Sequence, residues 1–486
     1  MASMLRMSVV NTSAGMLSMI AGFVCSIIVA RTLGVDGTGI VAYALWFMSV
    51  ATLVADLGMP QATLRFIARD TDGSPELRSG LFRRLFYRFA SASVVAALAM
   101  ACYAFWLLQR GLVENATVWF VTIALYLSYA YSTMAIGAAQ GLGQFDRAAH
   151  RTLVGCLIQP FAVLGGALVL GPAGAILGHA LRHLPQAMDL KSYLAKRPSE
   201  RKPIPTEIRR YAKNNWISGS ILALFGARIE LAIIGFFFSI TQVGFYSIGL
   251  TMAGMIAQLA LFIVAFVVPK FGELHDQAND RAFADAFERT IRWLSIVIAP
   301  ITIGGAAIAP ELIPLVFGSD FSPAVGPAVI LLVFSIAQAL AAVLSRAILA
   351  KNRSSDELRM SLVWCGLSIV ALMIVIPSFG QTGAAWTRGA VNTLLLGILT
   401  IYCSRVLNLH VPVLTLTKSI SAAALCAGAA LGVLQFVSGI PGLVLAVMAA
   451  APVYIVALLI LRTVPSSELE PLANEVRSRL GLNNFS

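Results

Sequence analysis

The chain has 486 residues, a mean hydropathy of +0.83, 58% hydrophobic residues and only 12% charged ones. Soluble domains carry about a quarter charged residues and fewer than half apolar ones, so a water-soluble enzyme, a secreted disulfide scaffold and a disordered chain are excluded. The net charge of +12 invites a nucleic-acid reading. The basic residues, however, gather in short loops between apolar runs, as in membrane proteins, and no nucleic-acid partner is expected.

In chain order, apolar runs fall at about 9–30, 39–57, 89–108, 117–140, 153–170, 173–190, 215–238, 243–268, 292–317, 324–350, 361–377, 383–404, 413–436 and 441–461. Each is close to the roughly 20 residues that cross a bilayer as a helix. The pattern predicts an all-α polytopic membrane protein with about 14 transmembrane helices. The first run follows Arg6 and is too long for a signal-peptide core, so it reads as a retained span. With the amino terminus inside, the inner segments hold 29 Lys and Arg residues and the outer loops hold 2, Arg31 and Arg110. That asymmetry places both termini in the cytoplasm.

The outer loops are about ten residues or fewer, leaving no room there for a catalytic domain. The inner segments Glu76–Arg88, Asp280–Trp293 and the tail from Ser467, where Glu470 completes an S-x-x-E cap, read as amphipathic surface helices. The basic segment 191–214, interrupted by Pro198, Pro203 and Pro205, reads as a linker. No G-x-x-x-x-G-K-[ST] segment is present, so the chain carries no P-loop. The cysteines Cys25, Cys102, Cys156, Cys365, Cys403 and Cys426 fall in apolar runs without metal-ligand spacing and read as small buried hydrophobes. No metal and no cofactor is expected.

Self-comparison reveals a repeat. Ile28-Val29-Ala30 with Gly39 aligns on Ile233-Ile234-Gly235 with Gly244, an offset of 205, and Gly171-Pro-Ala-Gly174-Ala175 aligns on Gly380-Gln-Thr-Gly383-Ala384, an offset of 209. The offset covers six spans, an even number, so the copies share one orientation and form two parallel six-helix lobes with two extra C-terminal helices. The expected organisation is an N-terminal lobe over 1–190, a cytoplasmic linker over 191–214, a C-terminal lobe over 215–404, the extra spans over 405–461 and a cytoplasmic tail over 462–486. Transporters of this design bind substrate between the lobes and work by alternating access.

Ionisable residues inside a bilayer cost at least about 2.5–3.5 kcal/mol each and mark functional positions. Span 7 carries Arg228 and Glu230, which two-residue spacing puts on different helix faces. Span 6 carries His179, Arg182 and His183, a cationic stripe at i, i+3, i+4. Span 12 carries Arg388, which the repeat sets opposite His179. Together they suggest a cationic cavity for an anionic group, with guanidinium suited to phosphate or pyrophosphate. The competing reading is structural pairing, for example of Arg228 with a carboxylate on another helix. Glu230 is a candidate ion-coupling residue, and Arg31 and Arg346 at span ends read as snorkelling cations.

The run Ala30-Arg31-Thr32-Leu33-Gly34, with Gly39, Tyr43 and Asp56-Leu57-Gly58-Met59-Pro60, resembles the opening of bacterial polysaccharide flippases. Val243-Gly244-Phe245-Tyr246, and Glu311 to Gly318 with Phe321, Ser322 and Ala324, resemble the matching places in their second half. These flippases belong to the multidrug/oligosaccharidyl-lipid/polysaccharide exporter superfamily. The resemblance implies translocation of an undecaprenyl-pyrophosphate-linked oligosaccharide across the bacterial cytoplasmic (inner) membrane, for O-antigen, capsule or exopolysaccharide biosynthesis. Its implied partners are that lipid-linked oligosaccharide, membrane lipids, and polysaccharide polymerase and chain-length machinery. Related lipid II flippases carry arginines in span 1, where this chain has only Asn11, Ser13, Ser18 and Ser26. The nearest rival is a multidrug/cation antiporter of the same superfamily, which would favour cavity carboxylates over arginines. A membrane polysaccharide enzyme or a non-transporting scaffold is the alternative from another class.

Overall fold

Within lipid every backbone N–H and C=O must find its partner inside the protein, and long apolar runs meet that demand as helices. The computed structural model describes residues 2–67, 75–194, 204–226 and 228–463, and its described regular structure is entirely helical. In chain order the helices are α1 (Ala2–Ala55), α2 (Met59–Phe66), α3 (Pro75–Gln109), α4 (Val113–Gly141), α5 (Phe145–Leu194), α6 (Thr206–Gly226) and α7 (Ile229–Phe237). They continue as α8 (Ile240–Asp276), α9 (Asp280–Ala299), α10 (Gly305–Phe317), α11 (Val325–Ala350), α12 (Ser354–Val406), α13 (Val413–Leu434) and α14 (Gly439–Ile460). A π-helical turn, Pro300–Gly304, joins α9 to α10, and a 3₁₀ turn, Ser319–Ala324, precedes α11.

Ten described segments are long and apolar enough to cross a membrane. Three of them, of 43, 50 and 53 residues, are about twice the length one crossing needs. Each contains one glycine with a positive φ: Gly34 at 67°, Gly171 at 58° and Gly380 at 55°. Those glycines are where α1, α5 and α12 turn back on themselves. In α5 a Cβ on Gly174 would lie 1.9 Å from the Gly166 carbonyl oxygen, whereas a straight helix separates residues eight apart by about 12 Å. Pro172 then restarts the helix at a position that has no use for an N–H. With these three counted as paired crossings and α6–α7 as one interrupted crossing, the expected fourteen are accounted for.

The repeat is present in the backbone. Gly171 and Gly380, aligned at the offset of 209, have φ/ψ of 58/−140° and 55/−142°. Gly39 and Gly244, aligned at 205, pack together. A Cβ on Gly39 would lie 2.1 Å from the Ile240 carbonyl oxygen, and one on Gly244 2.3 Å from that of Val35. Beside them Thr241 donates to Asp36 at 2.6 Å, another pair 205 apart. Equivalent residues meet one another only around a two-fold axis, so this close contact lies on the pseudo-symmetry axis of the repeat.

By packing, the chain divides into two compact units. The first comprises Met1–Thr251, Val316–Pro327 and Ser355–Val391, and the second Met252–Leu315, Ala328–Ser354 and Asn392–Ser486. The core of the first unit is built on Phe82, Leu85, Phe89, Leu125, Tyr126 and Met134, all fully buried. The amphipathic segment before span 3 forms the start of α3, with Leu81 and Leu85 buried and Arg88 exposed. Arg31 does more than snorkel: its Nε donates to the Val316 carbonyl at 2.9 Å, capping the end of α10.

In the second unit, the Ala-rich faces of α13 and α14 pack together and against the end of α9, with Ala422, Ala423 and Ala446 fully buried. Pro300 has no N–H, so the Ile296 carbonyl loses its helical partner. The Tyr454 hydroxyl supplies the missing donor at 2.7 Å. The surface segment Asp280–Trp293 forms the first turns of α9, with Phe283 and Phe287 buried and Lys351 paired to Asp280. Five of the six cysteines are buried as expected, whereas Cys102 is exposed. The Ser467/Glu470 cap and the linker prolines Pro198 and Pro203 lie outside the described residues.

Candidate functional site

Span 7 is not the continuous helix the hydropathy suggests. Its first part, α6, begins at Thr206 and ends at Gly226, and α7 starts at Ile229. Arg228 caps α7 in a left-handed conformation, φ 60° and ψ 31°, a state that costs a non-glycine residue roughly 1–3 kcal/mol and persists mainly where it serves function. The break places the amino terminus of α7, with its positive dipole end, next to Arg228. Interrupted helices of this kind mark binding positions in transporters. Arg228 is exposed at the break and lies within electrostatic range of both Arg388 and Glu230.

The helix reset also changes the face that Glu230 presents. Its side chain is 3% exposed, and Oε1 accepts from Arg388 Nη1 at 2.7 Å. The structural-pairing alternative is therefore realised, but by Arg388 and not by Arg228. The pair is incomplete: among the described residues, Glu230 Oε2 and the neighbouring Tyr246 hydroxyl are buried without a hydrogen-bond partner. A buried carboxylate with one unsatisfied oxygen is costly and invites a proton, a water or an ion. The site thus holds two guanidiniums against one carboxylate, which leaves a net positive charge beside a helix amino terminus.

The second predicted group lies in the hairpin of α5. Arg182 Nη1 donates to Gln159 Oε1 at 3.2 Å, and its other Nη donates to the Ser18 hydroxyl. With the amide oriented by that contact, Gln159 Nε2 donates to His179 Nδ1 at 2.9 Å. An imidazole that accepts at Nδ1 is the neutral tautomer, so His179 is not one of the cations in the stripe. His183 packs edge-on against Tyr129, with ring centroids 5.0 Å apart. Gln159 and Tyr129 were not picked out by the sequence, and Ser18 and Tyr246 entered only as a polar residue of span 1 and as part of a family motif, since an isolated amide or hydroxyl in a span carries no spacing signal.

The two groups occupy equivalent places. The offset of 209 pairs His179 with Arg388, and that of 205 pairs Cys25 with Glu230. Where the second copy places an ion pair, the first has a fully buried thiol and a neutral imidazole. One further acid, Asp56, sits in the loop between α1 and α2, where Oδ1 accepts from the Gly58 N–H at 2.7 Å. Burial raises its carboxyl to about 6, against the lowering effect of that hydrogen bond.

The chain as a whole is similar to known proteins. The sequence profile described as "Polysaccharide biosynthesis protein" matches residues 28–326. A protein of Haloferax volcanii described as "Probable low-salt glycan biosynthesis flippase Agl15" is 21% identical over 377 residues, covering 75% of this chain and 77% of that protein. Among solved structures, "Lipid II flippase MurJ, inward closed conformation" superposes with a TM-score of 0.75 at 10% identity, covering 94% of this chain and 99% of the other. A multidrug resistance MATE family transporter of the MOP superfamily, in its inward-facing conformation, gives a TM-score of 0.59 at 14% identity, with 81% and 97% covered. At such identities the structures establish a shared fold. With more than half of its length matched by one profile and its helices arranged as in these flippases and transporters, the chain belongs to the polysaccharide biosynthesis protein family of multi-pass membrane proteins.

Proposed function

We propose that this protein is a flippase that carries an undecaprenyl-pyrophosphate-linked oligosaccharide across a bacterial inner membrane, with both termini in the cytoplasm. The observation that carries the reading is the helix break at Arg228, beside the buried Arg388–Glu230 pair. Arg228 and the positive amino-terminal end of α7 make first contact with the pyrophosphate. The anion then competes with Glu230 for Arg388, which donates bidentately to phosphate as readily as to carboxylate. Glu230, released from its partner, takes up a proton and couples the exchange to an ion gradient. Arg182, His179 and His183 form a second polar station in the equivalent place of the first repeat. Rocking of the two six-helix lobes moves the head group across while the polyprenyl chain stays in lipid.

Support comes from the family and from the glycan-biosynthesis flippase relative. The fold is shared with a multidrug transporter, but a drug antiporter needs an open carboxylate for its cations, and here Arg388 occupies Glu230. Transport rather than catalysis is proposed, within O-antigen or exopolysaccharide assembly alongside a polymerase and chain-length machinery. The test is depletion of the protein in its own cells. Inner-leaflet lipid-linked oligosaccharide should accumulate while surface polysaccharide falls. Unchanged precursor and polymer with raised sensitivity to cationic dyes would replace the proposal with the antiporter.

A further inference from the structure

At the end of the first unit that carries Asp36 and Arg110, α1, α3 and α4 enclose an aromatic cavity of 380 Å³ lined by Tyr43, Phe47, Tyr103, Trp119 and Thr122. A second cavity of 430 Å³ adjoins it and shares Phe47, Tyr103 and Trp119, with Ala96, Ala99 and Met100 as its other principal walls. Each is within the roughly 300–1,000 Å³ of small-molecule sites. The shared walls are held edge to face, Phe47 on Trp119 at 4.7 Å and Tyr103 on Trp119 at 4.9 Å. Two of its α3 walls, Ala99 and Tyr103, are themselves exposed, so the groove is open along the side of a membrane span.

One cation stands at its mouth. Tyr103 stacks on Trp106 with centroids 5.6 Å apart, and the Arg110 guanidinium lies 3.9 Å over the Trp106 ring. A stacked guanidinium uses its face for the ring, and its N–H edge retains the fork geometry that suits a phosphate. Arg110 lies just past the end of α3, and Tyr and Trp are the residues enriched where spans reach the lipid head groups.

We infer that this groove holds one acyl chain of a resident anionic glycerophospholipid from the leaflet on that side, with the lipid phosphate on Arg110. The charge at the mouth selects the anionic head group, and the apolar floor over Ala96, Ala99 and Met100 takes the chain. This site is separate from the Arg228–Arg388 group and does not depend on what the protein transports.

The test uses the full chain in phosphatidylcholine vesicles containing phosphatidylglycerol brominated on its acyl chain, or brominated phosphatidylcholine as control. Quenching of the Trp119 emission, taken as wild type minus Trp119→Phe, reports occupancy. Half-quenching should need a phosphatidylglycerol mole fraction about fivefold lower than for phosphatidylcholine, the preference expected for one basic residue at the surface. Arg110→Gln should erase that preference and Arg110→Lys should keep most of it. Ala99→Leu, which fills the groove at an exposed position, should reduce quenching by both lipids. Equal quenching by the two lipids in the wild type, or quenching indifferent to Ala99→Leu, would overturn the inference. Displacement of phosphatidylglycerol by equimolar polyprenyl phosphate would also overturn it, by giving the groove to an isoprenoid chain.

Discussion

The hairpins α5 and α12 share a turn, a glycine conformation and a place in the repeat, yet they bring opposite chemistry to equivalent positions. In the first, Arg182 donates to two neutral partners, Gln159 and Ser18, and His179 is a neutral acceptor. In the second, Arg388 meets a buried carboxylate whose other oxygen has no partner, and an interrupted helix adds Arg228 and a helix amino terminus. A network of neutral partners holds helices together and gains less from a charged ligand than an incomplete ion pair does. An unsatisfied ionic group in low dielectric is expensive, and it persists where binding or proton exchange completes it. The repeat gives both copies one frame, and among the described residues the buried ion pair with an unpartnered oxygen lies in the second copy.

The sharpest way to break this contrast is to remove one partner of the ion pair. Arg388→Ala should cost about 3–5 kcal/mol, because it strands the Glu230 carboxylate in the interior. Arg388→Met with Glu230→Leu should recover most of that stability, since an apolar pair of similar volume is tolerated where an unpaired charge is not. Thermal unfolding in detergent measures both.

Gly171→Ala and Gly380→Ala probe what the hairpins share. Each forces a Cβ into a backbone state that favours glycine, and each should cost about 1–3 kcal/mol. Near-equal costs would confirm that the frame is common to both copies, and a large inequality would show that the hairpins are held differently. Gln159→Leu should cost a similar or smaller amount, about 1–3 kcal/mol for the donors and acceptors it leaves unmade. Transport per folded molecule should survive this change if the first cluster is chiefly structural.

The smallest effect concerns pH. Asp56 titrates at about 6 in the folded protein against 3.8 for a free carboxyl, so folding favours its protonated form. The stability that this protonation contributes is complete below pH 3.8, declines between 3.8 and about 6, and is absent above. Asp56→Asn should remove that slope, so that its melting temperature rises relative to wild type as pH is raised from 4 to 7.

Much of the architecture was legible because lipid imposes it. Run lengths marked the spans, and the offsets of 205 and 209 marked the repeat down to the turning glycines. Arg228, Glu230 and Arg388 were legible because a charge within an apolar run has few explanations. The helix break was not. Ala227 and Arg228 carry no Pro or Gly of their own, and Gly226 alone does not distinguish a break from a close helix contact. The pairing of Glu230 with Arg388 follows from that break, which resets the face α7 presents, so periodicity on an unbroken helix could not reach it. The His179 tautomer was equally hidden, because it depends on Gln159, twenty residues away on the other arm of the hairpin.

The central claim is that transport runs through the ionic cluster and not merely through a protein that needs it to fold. The most direct measurement is translocation of lipid-linked oligosaccharide in proteoliposomes by the Arg388→Met, Glu230→Leu double variant, at matched amounts of folded protein. The account predicts near-wild-type stability with transport at background, and Arg228→Ala should likewise fold but transport at least about tenfold more slowly, the cost of one charged contact. Wild-type transport by the double variant would contradict the account and reduce the ion pair to a structural fastening.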